Sequence, residues 1–189
     1  LRRLNRQILA TARRSGLAVI HADEHMQSGK GFGERLHYAM ERGFSFGFRK
    51  LIVVGNDCPE LQAGQLRRAA NILTQRDLVL GPTPHGGVYL LGMTRQAFER
   101  FDLRRLPWQT SGLYQELLRF PFRTKVLPTA EDANDPHALW RLVQRVRSSQ
   151  WLREIFDLLT FRFSVSPDLK FVLPVAATRA DRLRAPPFA

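Results

Sequence analysis

Asp57 stands three residues past an apolar run, residues 51–54, that reads as a buried strand. A carboxylate at the carboxyl end of such a strand can hold Mg²⁺ or Mn²⁺. These ions take oxygen ligands, commonly one or two carboxylates plus substrate phosphates. Asp also caps turns and helices, so spacing alone leaves a purely structural role open. The one dense acidic cluster of the sequence is Glu131-Asp132-Ala133-Asn134-Asp135. Its oxygens could complete a metal site begun by Asp57. The same segment also reads as a plain helix start: Asp135-Pro136 is a cap followed by proline, and the other acids favour the positive end of the helix dipole.

Two glycine-rich stretches suit close approach of backbone to a ligand. The first is Gln27-Ser28-Gly29-Lys30-Gly31-Phe32-Gly33, ahead of a helical pattern, with Lys30 and Arg35 placed to meet a diphosphate. It is not a P-loop, because no Lys-Ser or Lys-Thr follows the last glycine, and the dinucleotide fingerprint is absent. The second is His85-Gly86-Gly87, which also reads as a simple turn. Trp108, between Pro107 and Gln109, could stack on a base or sugar if exposed, or serve the core if buried. Cys58 has no base linked to it by spacing.

The elements that position these residues alternate. Leu1, Leu4, Ile8 and Ala12 form one helical stripe, ended at Gly16, and residues 17–20 then read as a strand. Helical spacing returns at residues 34–42, 61–73, 110–120 and 136–146. Short apolar strands are expected at 50–54, 77–80 and 88–93, with an edge strand at 125–127. This alternation predicts an α/β fold, a three-layer α/β/α sandwich on a mostly parallel sheet. In such sheets the ligand crevice lies beyond the carboxyl ends of the strands, which gathers Asp57, the turn at 83–87 and the glycine loop at one rim. From Trp151 the pattern fades. Phe161, Phe163 and Val165 with residues 171–175 suggest a short strand pair, so the chain divides into a domain, 1–150, and an appendage, 151–189.

Composition bounds the answer. The chain has 189 residues, 44% hydrophobic and 24% charged, with 13 Phe and 3 Trp. That is enough for a core and excludes global disorder. No apolar run reaches the ~18 residues of a membrane span. One cysteine excludes a disulfide framework and suits a reducing, cytoplasmic setting. The formal charge is +12, from 29 basic and 17 acidic residues. Nucleic acid is the first partner such a charge suggests. The distribution argues against it: only four of the basic residues are Lys, and Arg pairs such as Arg13-Arg14, Arg67-Arg68 and Arg104-Arg105 are scattered between elements. The first 20 residues, with five Arg and no acid, are the exception.

Four stretches taken in order resemble a family: QSGKGFGERLHYAM (27–40), LIVVGNDCPEL (51–61), LVLGPTPHGGVYLLGM (78–93) and PWQT (107–110). They are similar to the glycosyltransferase-A-like, nucleotide-diphospho-sugar transferase-like proteins, some of them labelled radical-SAM or selenodomain-associated. The resemblance spans about residues 5–145. It implies a Rossmann-like sheet and a divalent metal, Mg²⁺ or Mn²⁺, bridging nucleotide phosphates to Asp57. It further implies transfer of a sugar or nucleotidyl group from a nucleotide-diphospho-sugar or similar donor to an unknown acceptor. By the family's pattern Asn134 stands in the place of a second acid, as a metal ligand, and Asp132 is a candidate base. Gly31, Gly33 and Arg35, with His85, Gly86, Gly87, Tyr89 and Trp108, become substrate-loop candidates. Two departures matter. His85 stands where the family carries an acid, and residue 1 falls after the family's usual first strand and basic loop, so a sheet short of that strand and with an exposed edge is expected. A catalytically degenerate nucleotide-binding or scaffold protein of the same fold is the alternative.

Overall fold

The computed structural model describes residues 2–22, 27–55, 57–131 and 171–175. Helix α1 (Arg2–Arg14) buries Ile8, Thr11 and Ala12 and stops at Gly16, whose φ of +74° ends the turn. Strand β1 (Ala18–Ala22) follows, then α2 (Phe32–Ser45). Helix α2 presents Gly33, Leu36, Met40, Gly43 and Phe44 on its inner face, three or four residues apart. At Gly43 a Cβ would come within 2.8 Å of Leu51, so glycine lets the helix sit close on strand β2 (Lys50–Val54).

Helix α3 (Ala63–Ile72) opens with a reciprocal cap between Gln62 and Gln65. Strands β3 (Leu78–Pro82) and β4 (Val88–Thr94) form a hairpin closed by residues 83–87. The short helices α4 (Arg95–Glu99) and α5 (Leu113–Leu118) flank a 3₁₀ turn, Leu103–Arg105. Strand β5 (Thr124–Val126) lies at an edge, as expected, and β6 is Phe171–Val175.

The sheet has six strands in the order β1-β6-β2-β4-β3-β5. Strand β2 shows how it is buried on both faces. Leu51 and Val53 join the layer of α2 and Phe98, while Ile52 and Val54 join the layer of α1 and α3. The result is the expected three-layer α/β/α sandwich. Strands β1, β2, β3 and β5 point one way, in keeping with a mostly parallel set. Strands β4 and β6 run against them and are interleaved, so the ladders are antiparallel except between β3 and β5. Periodicity reports burial, not direction, so this interleaving is not visible in sequence.

The stretch read as an appendage supplies an inner strand. Strand β6 pairs with β1 from Ala18↔Val175 to Ala22↔Phe171, and with β2 at Leu51↔Val175 and Val54↔Val172. Its Pro174 hides this role, since proline lacks a ladder donor and normally argues against an inner strand. Residues 161–165, expected to pair with it, lie outside the described residues.

Candidate functional site

The carboxyl ends of β2 and β3 meet the start of β4 at one rim of the sheet. Strand β2 leaves the sheet through Gly55, where a Cβ would lie 2.4 Å from Asp57 Oδ1. Only glycine lets the half-buried carboxylate fold back over the strand end. Opposite stands the β3–β4 turn. The Thr83 N–H donates to the Gly87 carbonyl at 3.0 Å, and the Gly86 N–H to the Thr83 carbonyl at 3.2 Å. Gly86 has φ +79°, and a Cβ there would sit 1.9 Å from the Ser111 carbonyl oxygen. Tyr114 N–H donates to the Gly86 carbonyl at 2.8 Å, so the turn is clamped against the start of α5.

The third side is the loop carrying Trp108. Its indole Nε1–H donates to the Leu103 carbonyl at 2.6 Å. Its ring lies 5.1 Å from that of Phe32, tilted by 45°. A Cβ at Gly33 would strike the indole at 2.7 Å, so that glycine is what lets α2 and the tryptophan meet. Gln109 next to it takes φ +61°, a left-handed conformation uncommon for a side-chain-bearing residue.

Together these groups enclose a hollow of about 480 Å³, within the range of small-molecule sites. Phe32, Leu36, Val53, Leu91 and Leu113 form its apolar walls. Asp57, Thr83, His85, Gln109, Thr110 and Ser111 give it a polar side. No Lys or Arg lines it among the described residues.

Of the residues expected at the site, Asp57, His85, Gly87, Tyr89 and Trp108 line this hollow. Gly86 and Gly33 support its walls without lining it. Gly31 and Arg35 are not on the lining, Gly31 being exposed at the mouth of α2. Glu34 also bends back over that loop, its Oε2 accepting the Lys30 N–H at 2.6 Å. A carboxylate therefore sits where a phosphate cradle was expected. Asp132 and Asn134 lie outside the described residues. The segment leading to them is stitched along the same rim. Leu127 and Ala130 donate to the carbonyls of Leu80 and Pro82, and Glu131 N–H donates to Glu60 Oε2 at 3.1 Å.

Tyr89 is 1% exposed and donates its hydroxyl to the Pro128 carbonyl at 3.1 Å. Burial, with Cys58 beside it, pushes its phenol up to about 12, so it stays protonated and positions the 127–131 segment. A Cβ at Gly81 would meet the Tyr89 ring at 2.5 Å, so this glycine makes room for it. Thr83 was not singled out by sequence. It is 5% exposed, and its Oγ1 has no hydrogen-bond partner among the described residues, an uncommon state for a buried hydroxyl. The only hint was its place in a Pro-Thr-Pro turn before the glycines. Gln109, Thr110 and Ser111 were also missed, because nothing in a Gln predicts a positive φ.

Among the described residues no three His, Cys, Asp or Glu side chains gather. Asp57 by itself still fits a hard cation held by one or two carboxylates plus ligand oxygens. No helix among the described residues is long and apolar enough to cross a membrane.

The fold has a solved counterpart. The crystal structure of a "putative nucleotide-diphospho-sugar transferase" from Desulfovibrio desulfuricans G20 aligns with a TM-score of 0.61 at 24% identity. The alignment covers 74% of this chain and 65% of that one, so this chain spans about two thirds of that protein. The likeness shows that the two chains share a fold. No curated protein matches the chain. Residues 5–110, more than half of the chain, match the family described as "Uncharacterized protein conserved in bacteria". The motifs, the sheet and the rim they build thus converge on one family, and the chain belongs to DUF2064.

Proposed function

We propose that this chain is a transferase acting on a nucleotide-diphospho-sugar or a similar nucleotide donor, passing a glycosyl or nucleotidyl group to an acceptor. The observation that carries the reading is the front hollow. Asp57, the one acidic residue on its lining among the described residues, sits just past the end of β2, in a fold shared with the Desulfovibrio protein. Among the described residues no Lys or Arg stands on the lining to meet a diphosphate beside that carboxylate, which supports a cation between them. Asp57 would hold Mg²⁺ or Mn²⁺, with Asn134 as a further ligand and Asp132 as the base. Such a cation supplies charge neutralisation on the leaving diphosphate.

The chain's own residues supply position. Trp108, pinned to Leu103, and the Phe32–Leu36 wall keep water from one side of the hollow. Gly87, on the lining, brings the turn close to the ligand without side-chain bulk, and Gly86 holds that turn against Ser111 and Tyr114. A catalytically silent nucleotide binder is the second reading, and His85, in a turn position the resembling family gives to an acid, favours it. A thermal-shift screen against nucleotide diphosphates and nucleotide sugars, with and without Mn²⁺, tests both. Metal-dependent stabilisation that disappears in Asp57→Ala is the expected result; a ligand at a hundredfold excess over its Kd stabilises the folded state by about 2.7 kcal/mol. Binding without turnover of any nucleotide sugar selects the second reading. Binding unchanged in Asp57→Ala removes that residue from the site.

A further inference from the structure

The opposite rim of the sheet has the reverse electrostatics. There the starts of β2 and β3 and the end of β4 surround a second hollow, of about 450 Å³. Arg49, Lys50, Arg76, Arg95 and Arg123 line it, against one carboxylate, Asp77. That carboxylate is already engaged. Arg123 grips it with two parallel bonds, Nε to Oδ2 and Nη2 to Oδ1, each 3.1 Å. Arg95 is fixed in another way: its guanidinium donates to the carbonyls of Phe44 and Phe48 and lies 5.6 Å over the Phe44 ring. Those partners hold it in place without cancelling its charge. Arg49 and Arg76 are exposed, and neither they nor Lys50 makes a salt bridge among the described residues.

We propose that this rear hollow is an anion site for a small oligophosphate, separate from the front hollow and independent of the transferase reading. Arg123 is engaged with Asp77, and Arg95 is held at the hollow with its charge uncancelled. Arg49, Lys50 and Arg76 make no salt bridge among the described residues and can close on a ligand. Guanidinium forks match phosphate oxygens, and the hollow has the volume of a small-molecule site. The cations ring a concavity instead of running as a stripe along one face, which suits a compact polyanion better than a nucleic-acid backbone.

Isothermal titration of the full chain with inorganic pyrophosphate and tripolyphosphate tests the site. Both are expected to bind, tripolyphosphate more tightly, with affinity falling as salt rises. The double substitution Arg49→Ala/Arg76→Ala should weaken tripolyphosphate by more than about tenfold, the loss of charge-assisted bonds. Removing the same charge at Arg105→Ala/Arg119→Ala, two exposed arginines of the α2 layer, should change it by less than about twofold at moderate salt. Absence of binding to the wild type overturns the proposal. So does equal weakening by both double variants, which would place the anion on the general basic surface.

Discussion

Gly86 and Thr83 lie three residues apart in one turn and make opposite predictions. Alanine at Gly86 must adopt a left-handed backbone and drive its Cβ into the Ser111 carbonyl. The Gly86→Ala variant should lose more than about 2 kcal/mol, read as a lower urea midpoint at unchanged slope. A midpoint within error of the wild type would show that the turn is not clamped as described. Thr83 has the converse character. Its hydroxyl is buried without a partner among the described residues, so Thr83→Val, which keeps the shape, should melt at the same temperature as the wild type or higher. A clear fall in Tm would mean that the hydroxyl has a bond in solution. Asp57, His85, Gly87 and Trp108 were legible in sequence because each sits in a motif of unusual composition. Thr83 and Gln109 were not, because their distinction is an unmet bond and a dihedral angle, neither of which is a property of residue type.

Among the elements, β5 depends on one clip. Arg123 donates from its backbone and its side chain to Asp77, tying the entry of β5 to the entry of β3. The side-chain hydrogen bond from Arg123 holds the Asp77 carboxyl below its usual range. A lowered folded-state value means that the stabilisation is fully present above the ordinary Asp pKa of about 4 and is lost as pH falls through the lowered value. Asp77→Asn should therefore melt below the wild type at neutral pH, and the gap should close in acid. A gap independent of pH would assign the effect to the lost backbone contact alone. Element boundaries were readable where caps and apolar runs coincide: β2 occupies residues 50–54 as expected, whereas α2 begins earlier and ends later than residues 34–42. The short α5 falls inside the longer helix expected over 110–120, since Gly112 rather than Thr110 occupies its cap.

For the whole molecule the decisive element is β6. It provides the ladder of β1 and one of the two ladders of β2. A chain ending at residue 150 should therefore lose hydrogen-exchange protection at residues 18–22, which the full chain protects. Equal protection in the two would mean that β1 is held by its helices instead. Sequence gave the layers and the rim, since both follow from burial and from strand ends. The strand at 171–175 was expected, but its place between β1 and β2 was not legible, because pairing partners so distant in sequence leave no local pattern and Pro174 argues for an edge. That distant pairing has a consequence for biosynthesis. The N-terminal strand emerges from the ribosome well before its partner, about 150 residues later in the chain. Until then one side of β2 presents open backbone groups, and contacts of such long sequence separation form slowly. Completion of this sheet therefore waits on the synthesis of residues 171–175, and nascent chains should lean on chaperones until that segment has emerged.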